Sequence, residues 1–304
     1  MHIRLGKLYL KNPVLVASGT FGYAQEFAPY LNLKSLGGII TKTITLSPRK
    51  GNPPPRIVET SSGMLNSIGL QNDGLENFVK NRLPYLQKLK VPIIVSIGGD
   101  FDEEYVILAK RLDKVKKISA IELNISCPNI KNKKMMVAQD KEATFELVNK
   151  VRSVTDKTII TKLSPNVTDI TEIAKAAEDA GSDAVSLINT LYGMAIDIKA
   201  KAPLLANTYG GLSGPAIKPI AVYMVWRVFQ TIKIPIIGMG GIMDPEDAIE
   251  FFIAGASAIC VGTGNLVDPS LAEKIVKGIR QYLKNNKIRN LKHLRGSLRH
   301  ARSF

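Results

Sequence analysis

The chain has 304 residues, 45% of them hydrophobic, and a net charge of +15. That length exceeds a typical two-layer domain and suits one (β/α)8 barrel, which takes about 250 residues, with insertions. A chain this long buries a large core unaided. Its two cysteines, Cys127 and Cys260, make no disulfide framework, which excludes a stapled secreted scaffold and favours a reducing cytoplasm.

No apolar run reaches the roughly 18 residues of a membrane span, and the N-terminus lacks the apolar core of a signal peptide. Strand-like sequence begins by Pro13, which leaves no room for a membrane-binding extension before it. The expectation is a soluble cytoplasmic protein with no membrane partner.

Taken in chain order, apolar runs of strand length occupy residues 13–17, 38–43, 92–97, 120–125, 158–163, 184–188, 235–239 and 258–261. They are continuous rather than alternating, as in parallel strands buried on both faces. Helical periodicity fills the spaces between, at 75–89, 103–115, 143–154, 170–180, 215–231, 245–254 and 271–283. Asp244-Pro245 reads as an N-cap followed by a first-turn proline, and Gly181 and Gly255 as helix-ending glycines. Eight strands, each followed by a helix, predict an α/β fold, a single (β/α)8 TIM barrel spanning 1–304. Three strand-to-helix loops are long, at about 44–73, 127–142 and 189–214. All three lie on the C-terminal face, where barrel enzymes place their chemistry.

The last stretch carries Lys284, Lys287, Arg289, Lys292, Arg295, Arg299 and Arg302 without an acid, with Ile288, Leu291, Leu294 and Leu298 at helical spacing. It reads as a closing helix packed on the barrel with a solvated basic face. No aromatic residue interleaves these charges before Phe304, so no nucleic-acid partner is expected.

The strand tips hold a ring of polar and small residues. They are Ser18-Gly19-Thr20-Phe21-Gly22, Thr41-Lys42-Thr43, Ser96, Asn124 to Asn129, Lys162, Asn189-Thr190, Gly238-Met239-Gly240-Gly241 and Gly262-Thr263-Gly264. The glycine turns after strands seven and eight let backbone amides approach a phosphate at a helix N-terminus. No early strand opens onto the dinucleotide-binding glycine fingerprint. Lys42 and Lys162 end apolar strands among small polar residues and are suited to hold anions.

His2, His293 and His300 lie near the termini, so neither a serine–histidine triad nor a histidine metal cage is expected on this face. The candidate base or nucleophile is then Cys127, a carboxylate or a lysine. Cys260 sits inside an apolar strand and reads as a small buried hydrophobe. Asn66, Asn124, Asn129 and Asn189 offer uncharged donors and acceptors suited to a flat ring such as a pyrimidine, with Asn72 an outlier that reads as a turn former.

At these residues the sequence resembles the class 1 dihydroorotate dehydrogenases, from about Leu8 to Leu283. The most specific pieces are Asn66-Ser67-Ile68-Gly69-Leu70-Gln71-Asn72 and Glu122-Leu123-Asn124-Ile125-Ser126-Cys127-Pro128-Asn129. The resemblance implies FMN-dependent oxidation of dihydroorotate to orotate in pyrimidine biosynthesis, without a metal. It implies FMN contacts at Ser18, Lys42, Thr43, Ser96, Asn124 and Lys162, and at Ile188, Gly214, Gly240, Gly241, Gly262 and Thr263. Implied substrate contacts are Lys42, Asn66, Ser67, Ile68, Gly69, Leu70, Asn124, Asn129, Asn189 and Thr190. Cys127 stands where the family has its catalytic base, with Lys42 and Lys162 assisting. Class 2 relatives carry serine there and a membrane-associating extension.

The motifs look more like class 1B, which passes electrons to NAD through a partner subunit carrying FAD and a 2Fe-2S cluster. The assembly so implied is a homodimer within a heterotetramer. Such a cluster needs four cysteine ligands, and this chain has two. The alternatives are a fumarate-using class 1A enzyme, or another flavin barrel such as a dihydropyrimidine dehydrogenase-like enzyme or a dihydrouridine synthase. A sugar-phosphate lyase using Lys162 as a Schiff base and a non-catalytic flavin-binding barrel lie further off.

Overall fold

The apolar runs become eight parallel strands closed into a barrel in the computed structural model, which describes residues 1–125 and 136–299. In chain order these are β1 (Val14–Val16), β2 (Gly38–Ile40), β3 (Ile93–Ile97), β4 (Ile118–Asn124), β5 (Thr158–Lys162), β6 (Ala184–Leu187), β7 (Ile236–Met239) and β8 (Ala258–Val261). Each strand pairs with the next in sequence, and β8 closes on β1 with Cys260 opposite Leu15.

Side-chain parity divides every strand between two cores. Val16, Ile39, Val95, Ile121, Ile159, Val185 and Ile259 face outward into the large cluster shared with the helices. Leu15, Ile40, Ile94, Ala120, Ile160, Ala184, Ile237 and Ala258 face inward and fill the barrel. An antiparallel hairpin, Ile3–Leu5 with Leu8–Leu10, closes the N-terminal end by adding Leu5, Leu8 and Leu10 to the inner cluster. The Lys7 amide in its turn donates to Thr158 Oγ1 at 3.0 Å, at the start of β5. Burying each leucine contributes about 1.5–3 kcal/mol.

Six helices lie within a few residues of the predicted spans: Asp102–Asp113, Lys141–Arg152, Ile170–Asp179, Lys218–Phe229, Pro245–Ala254 and Leu271–Asn285. Asp140, Asp169 and Asp244 cap three of them by accepting first-turn amides, each cap stabilising by about 1 kcal/mol. The helix expected at 75–89 is interrupted by a π turn, Phe78–Arg82. Pro84 follows it and has no amide hydrogen to close a regular turn.

Two expectations change. β1 is followed by turns and a short 3-10 segment, Leu33–Ser35, and by no α-helix. The C-terminal stretch is not one helix either: Lys287 (φ 55°) and Gly296 (φ 67°) interrupt it around a 3-10 turn, Leu291–His293. Leu291 and Leu294 are still buried on the barrel, while Leu298 is exposed.

The loops at 44–73 and 189–214 are not independent. Leu191–Gly193, Gly210–Ser213, Gly63–Asn66 and Ile57–Thr60 pair in that order into one antiparallel sheet at the C-terminal mouth. After β4 the described chain resumes at Met136, and the Ala138 amide donates to the Ile125 carbonyl at 3.3 Å. No helix among the described residues is long and apolar enough to cross a membrane.

Candidate active site

Two residues above the apolar fill, the inward-facing positions turn polar. Ile40 gives way to Lys42, Ile94 to Ser96, Ala120 to Glu122 and then Asn124, Ile160 to Lys162, and Ala184 to Ser186. Above this layer opens a cleft roofed by the antiparallel sheet.

Most of the predicted residues meet in that cleft. Its lining includes Ser18, Lys42, Thr43, Asn66 through Leu70, Asn124, Lys162, Ile188, Asn189 and Thr190, together with Gly214, Gly240, Gly241, Gly262 and Thr263. Ser96 lies beneath the lining: it is fully buried, its hydroxyl 2.9 Å from Thr43 Oγ1, which also accepts from Asn124 Nδ2 at 3.2 Å. Cys127 and Asn129 lie outside the described residues.

The two lysines differ. Lys162 is buried, with Nζ 3.5 Å from Ser18 Oγ. Lys42 is half-buried, and its pKa is held below the usual lysine range by burial first and by the charge of Arg56 second, with Glu26 and Asp73 opposing. An ammonium so poised gains most from an anion in the cleft.

Asn66 ends its strand and donates from Nδ2 to the Gly211 carbonyl at 3.2 Å, tying the two loops together. Asn189 Oδ1 accepts the Thr190 amide at 2.8 Å. Asn166, which sequence reasoning missed, clamps the same segment: Nδ2 donates to the Thr190 carbonyl at 3.0 Å and Oδ1 accepts the Tyr192 amide at 3.0 Å. Asn72 is a local knot. Its Oδ1 accepts the amides of Thr45 (3.1 Å) and Gly74 (2.8 Å), and its Nδ2 donates to Thr45 Oγ1 and the Leu70 carbonyl. That knot holds Leu70 at φ 54°, an uncommon conformation for leucine.

The glycine turns form a tight cradle. Gly241 has φ 73°, and a Cβ there would lie 2.7 Å from Lys218 Cβ and 2.8 Å from the Gly214 carbonyl oxygen. The Asp247 carboxylate fixes the turn, accepting the Met243 amide at 2.7 Å and the Lys218 ammonium. Thr263 Oγ1 donates to Ser213 Oγ at 2.8 Å across the cleft. A Cβ on Gly19 would meet nothing within 4 Å, and one on Gly262 only Ala17 Cβ at 3.8 Å. These backbones therefore border open space, and the cradle fits a flat ligand ending in a phosphate. Ser213, Asn207 and Tyr209 also line the cleft, signalled in the sequence only by the length of their loops, and Gln71 lines it from within the Asn66-to-Asn72 motif. Among the described residues no cluster of histidine, cysteine and carboxylate groups could hold a metal ion.

Fold and site together define a (β/α)8 barrel protein with a cleft at its C-terminal mouth, whose glycine turns and two lysines suit a flat, phosphate-bearing ligand and a small anion. The family model described as dihydroorotate dehydrogenase matches residues 2–283. The chain is 52% identical over 298 residues to the "Dihydroorotate dehydrogenase B (NAD(+)), catalytic subunit" of Geotalea uraniireducens, covering 98% of each. It is 51% identical to the protein of the same description from Desulforamulus reducens, covering 97% of each. A crystal structure of a dihydroorotate dehydrogenase from Eimeria tenella in complex with ferulenol superposes with a TM-score of 0.80 at 22% identity, over 97% of this chain and 88% of that one, a likeness of fold. The chain belongs to the dihydroorotate dehydrogenase family.

Proposed function

We propose that this chain is the catalytic subunit of an NAD-linked dihydroorotate dehydrogenase, oxidising dihydroorotate to orotate in pyrimidine biosynthesis. The observation that carries this reading is the meeting of Lys42, Lys162, Asn66, Asn124 and Asn189 in one cleft, in a chain 52% identical to such subunits.

FMN is the cofactor of this reading, and when bound it accepts the hydride leaving the carbon that bears the substrate carboxylate. The glycine turns at Gly240, Gly241 and Gly262, with Thr263, would hold its phosphate, and Ser18, Thr43 and Lys162 its ring system. Lys42 binds the substrate carboxylate. Asn66, Asn124 and Asn189 orient the ring, and positioning of this kind supplies a large share of an enzymatic rate. Cys127 takes the proton from the carbon beside the ring carbonyl, a role only its thiolate can fill. Lys162 stabilises the negative charge that arrives with the hydride.

A partner subunit carrying FAD and a 2Fe-2S cluster would supply the route for electrons to NAD. Two cysteines cannot ligate such a cluster. The exposed apolar side chains of Met194, Ile196 and Ile198 near the mouth offer surface for subunit contact, consistent with a homodimer inside a heterotetramer. We place the assembly in the cytoplasm. The test is an anaerobic titration of the purified chain with dihydroorotate. Bleaching of the flavin absorbance and little NADH formation without the partner are expected; a flavin that stays oxidised overturns the substrate assignment, and brisk NADH formation by the chain alone overturns the two-subunit route.

A further inference from the structure

Glu122 is fully buried and has no part in the steps above. Parity on β4 places it inside the barrel, between Ala120 of the apolar fill and Asn124 of the cleft lining. Its register partner on β5 is Ile160, and Asn124 pairs with Lys162, so Lys162 stands one inward step above and diagonal to Glu122. One carboxylate oxygen accepts from Ser186 Oγ at 3.3 Å; the other has no hydrogen-bond partner among the described residues. Cys260 lies within reach of both charges: burial pushes its thiol pKa up, Glu122 adds to the rise and Lys162 opposes it.

Carboxylate and thiol therefore lie in a dry compartment beneath the cleft, and the Lys162 ammonium stands at its upper edge, where it also lines the cleft. A buried carboxylate with a single hydroxyl donor is poorly compensated unless an opposite charge stands near. Register makes Lys162 the cation that the adjacent strand brings to it.

We propose that Glu122 is a positioning residue for the reaction: as the buried counter-charge to Lys162, it lowers the readiness of the cofactor site to accept a hydride. The proposal rests on the flavin reading given above. The hydride carries two electrons and one net negative charge from substrate to cofactor, while the second proton leaves with the base. Lys162 alone would hold that charge tightly. Glu122 offsets part of the attraction, which leaves the electrons available for onward transfer.

The test is the FMN midpoint potential of the holoenzyme, measured by equilibration with reference dyes in wild type, Glu122→Gln and Glu122→Asp. Glu122→Gln is expected to raise the potential, changing the oxidised-to-reduced ratio by roughly tenfold, about 30 mV for a two-electron couple. Glu122→Asp, which keeps the charge, is expected to stay near wild type. An unchanged potential in FMN-loaded Glu122→Gln overturns the proposal, and so does an equal shift in Glu122→Asp, which would trace the effect to packing.

If Glu122→Gln does not fold, the reduced-minus-oxidised infrared spectrum of wild type supplies the answer. A carboxyl band that moves on 13C labelling of glutamate is expected there, and its absence overturns the proposal. A preparation that never binds FMN would fail the flavin reading first, before any potential is measured.

Discussion

The lower and upper halves of the barrel interior are made by the same strands with the same parity, yet they differ in kind. Below, Leu15, Ile40, Ile94, Ala120, Ile160 and Ala184 meet the hairpin leucines in a dry, close-packed fill. One step higher stand Lys42, Ser96, Glu122, Lys162 and Ser186, groups that cost free energy to bury. Folding and chemistry are thus separated by height: the apolar layers supply the burial that tolerates a polar layer two residues away. Substitutions in the two halves should therefore fail in different assays.

The largest effect belongs to the chemistry. Cys127→Ala should retain FMN and its thermal midpoint but slow flavin reduction by dihydroorotate by about 10²–10⁴-fold in stopped flow; an unaltered rate would remove the thiol from the mechanism. Ile160→Ala should do the reverse. Urea unfolding should show a loss of about 2–5 kcal/mol, the cost of a cavity in the fill, while the rate per folded, FMN-loaded molecule hardly changes. A large rate loss with intact stability would erase the division by height.

A smaller effect is expected from Lys42→Met. Losing a charge-assisted contact should weaken dihydroorotate binding by about 1.5–3 kcal/mol, read as a raised KM with the fold intact. The mildest probe is pH. Burial and the charge of Arg56 hold the folded pKa of Lys42 below the lysine norm, so its ammonium is lost as pH rises through that depressed value. Affinity for the anionic substrate should fall there, earlier than for an ordinary lysine. If the Cys127 thiolate is the base, its ionisation should raise the rate with pH while loss of the Lys42 charge lowers it, so kcat/KM should be bell-shaped, and Lys42→Met should flatten the falling limb.

How much of this was legible follows from range. Lys42 and Lys162 were readable because a charge ending an apolar run is a local event. The span Pro245–Ala254 was readable because its cap, first-turn proline and closing glycine are all neighbours in sequence. The N-terminal hairpin escaped because strands of three residues hold no period. The roof over the cleft escaped for the opposite reason: Asn66 meets Gly211 across 145 positions, with nothing local to announce it. Glu122 stood in the sequence only as the first residue of the Glu122-to-Asn129 motif, and its place inside the barrel, one step below the Asn124–Lys162 pair, comes from strand parity and register. At the C-terminus the apolar spacing was right and the helix was not. Leu291 and Leu294 reach the barrel through a turn instead.

The central claim is that the polar layer at the strand tips binds FMN and dihydroorotate together. A crystal structure of the chain grown with FMN and orotate tests it most directly. The phosphate is expected at Gly241 and Thr263, orotate hydrogen-bonded by Asn66 and Asn189 with its carboxylate at Lys42, and the Cys127 sulfur facing the pyrimidine ring. Orotate bound outside this cleft, or Cys127 turned away from the ring, would contradict it.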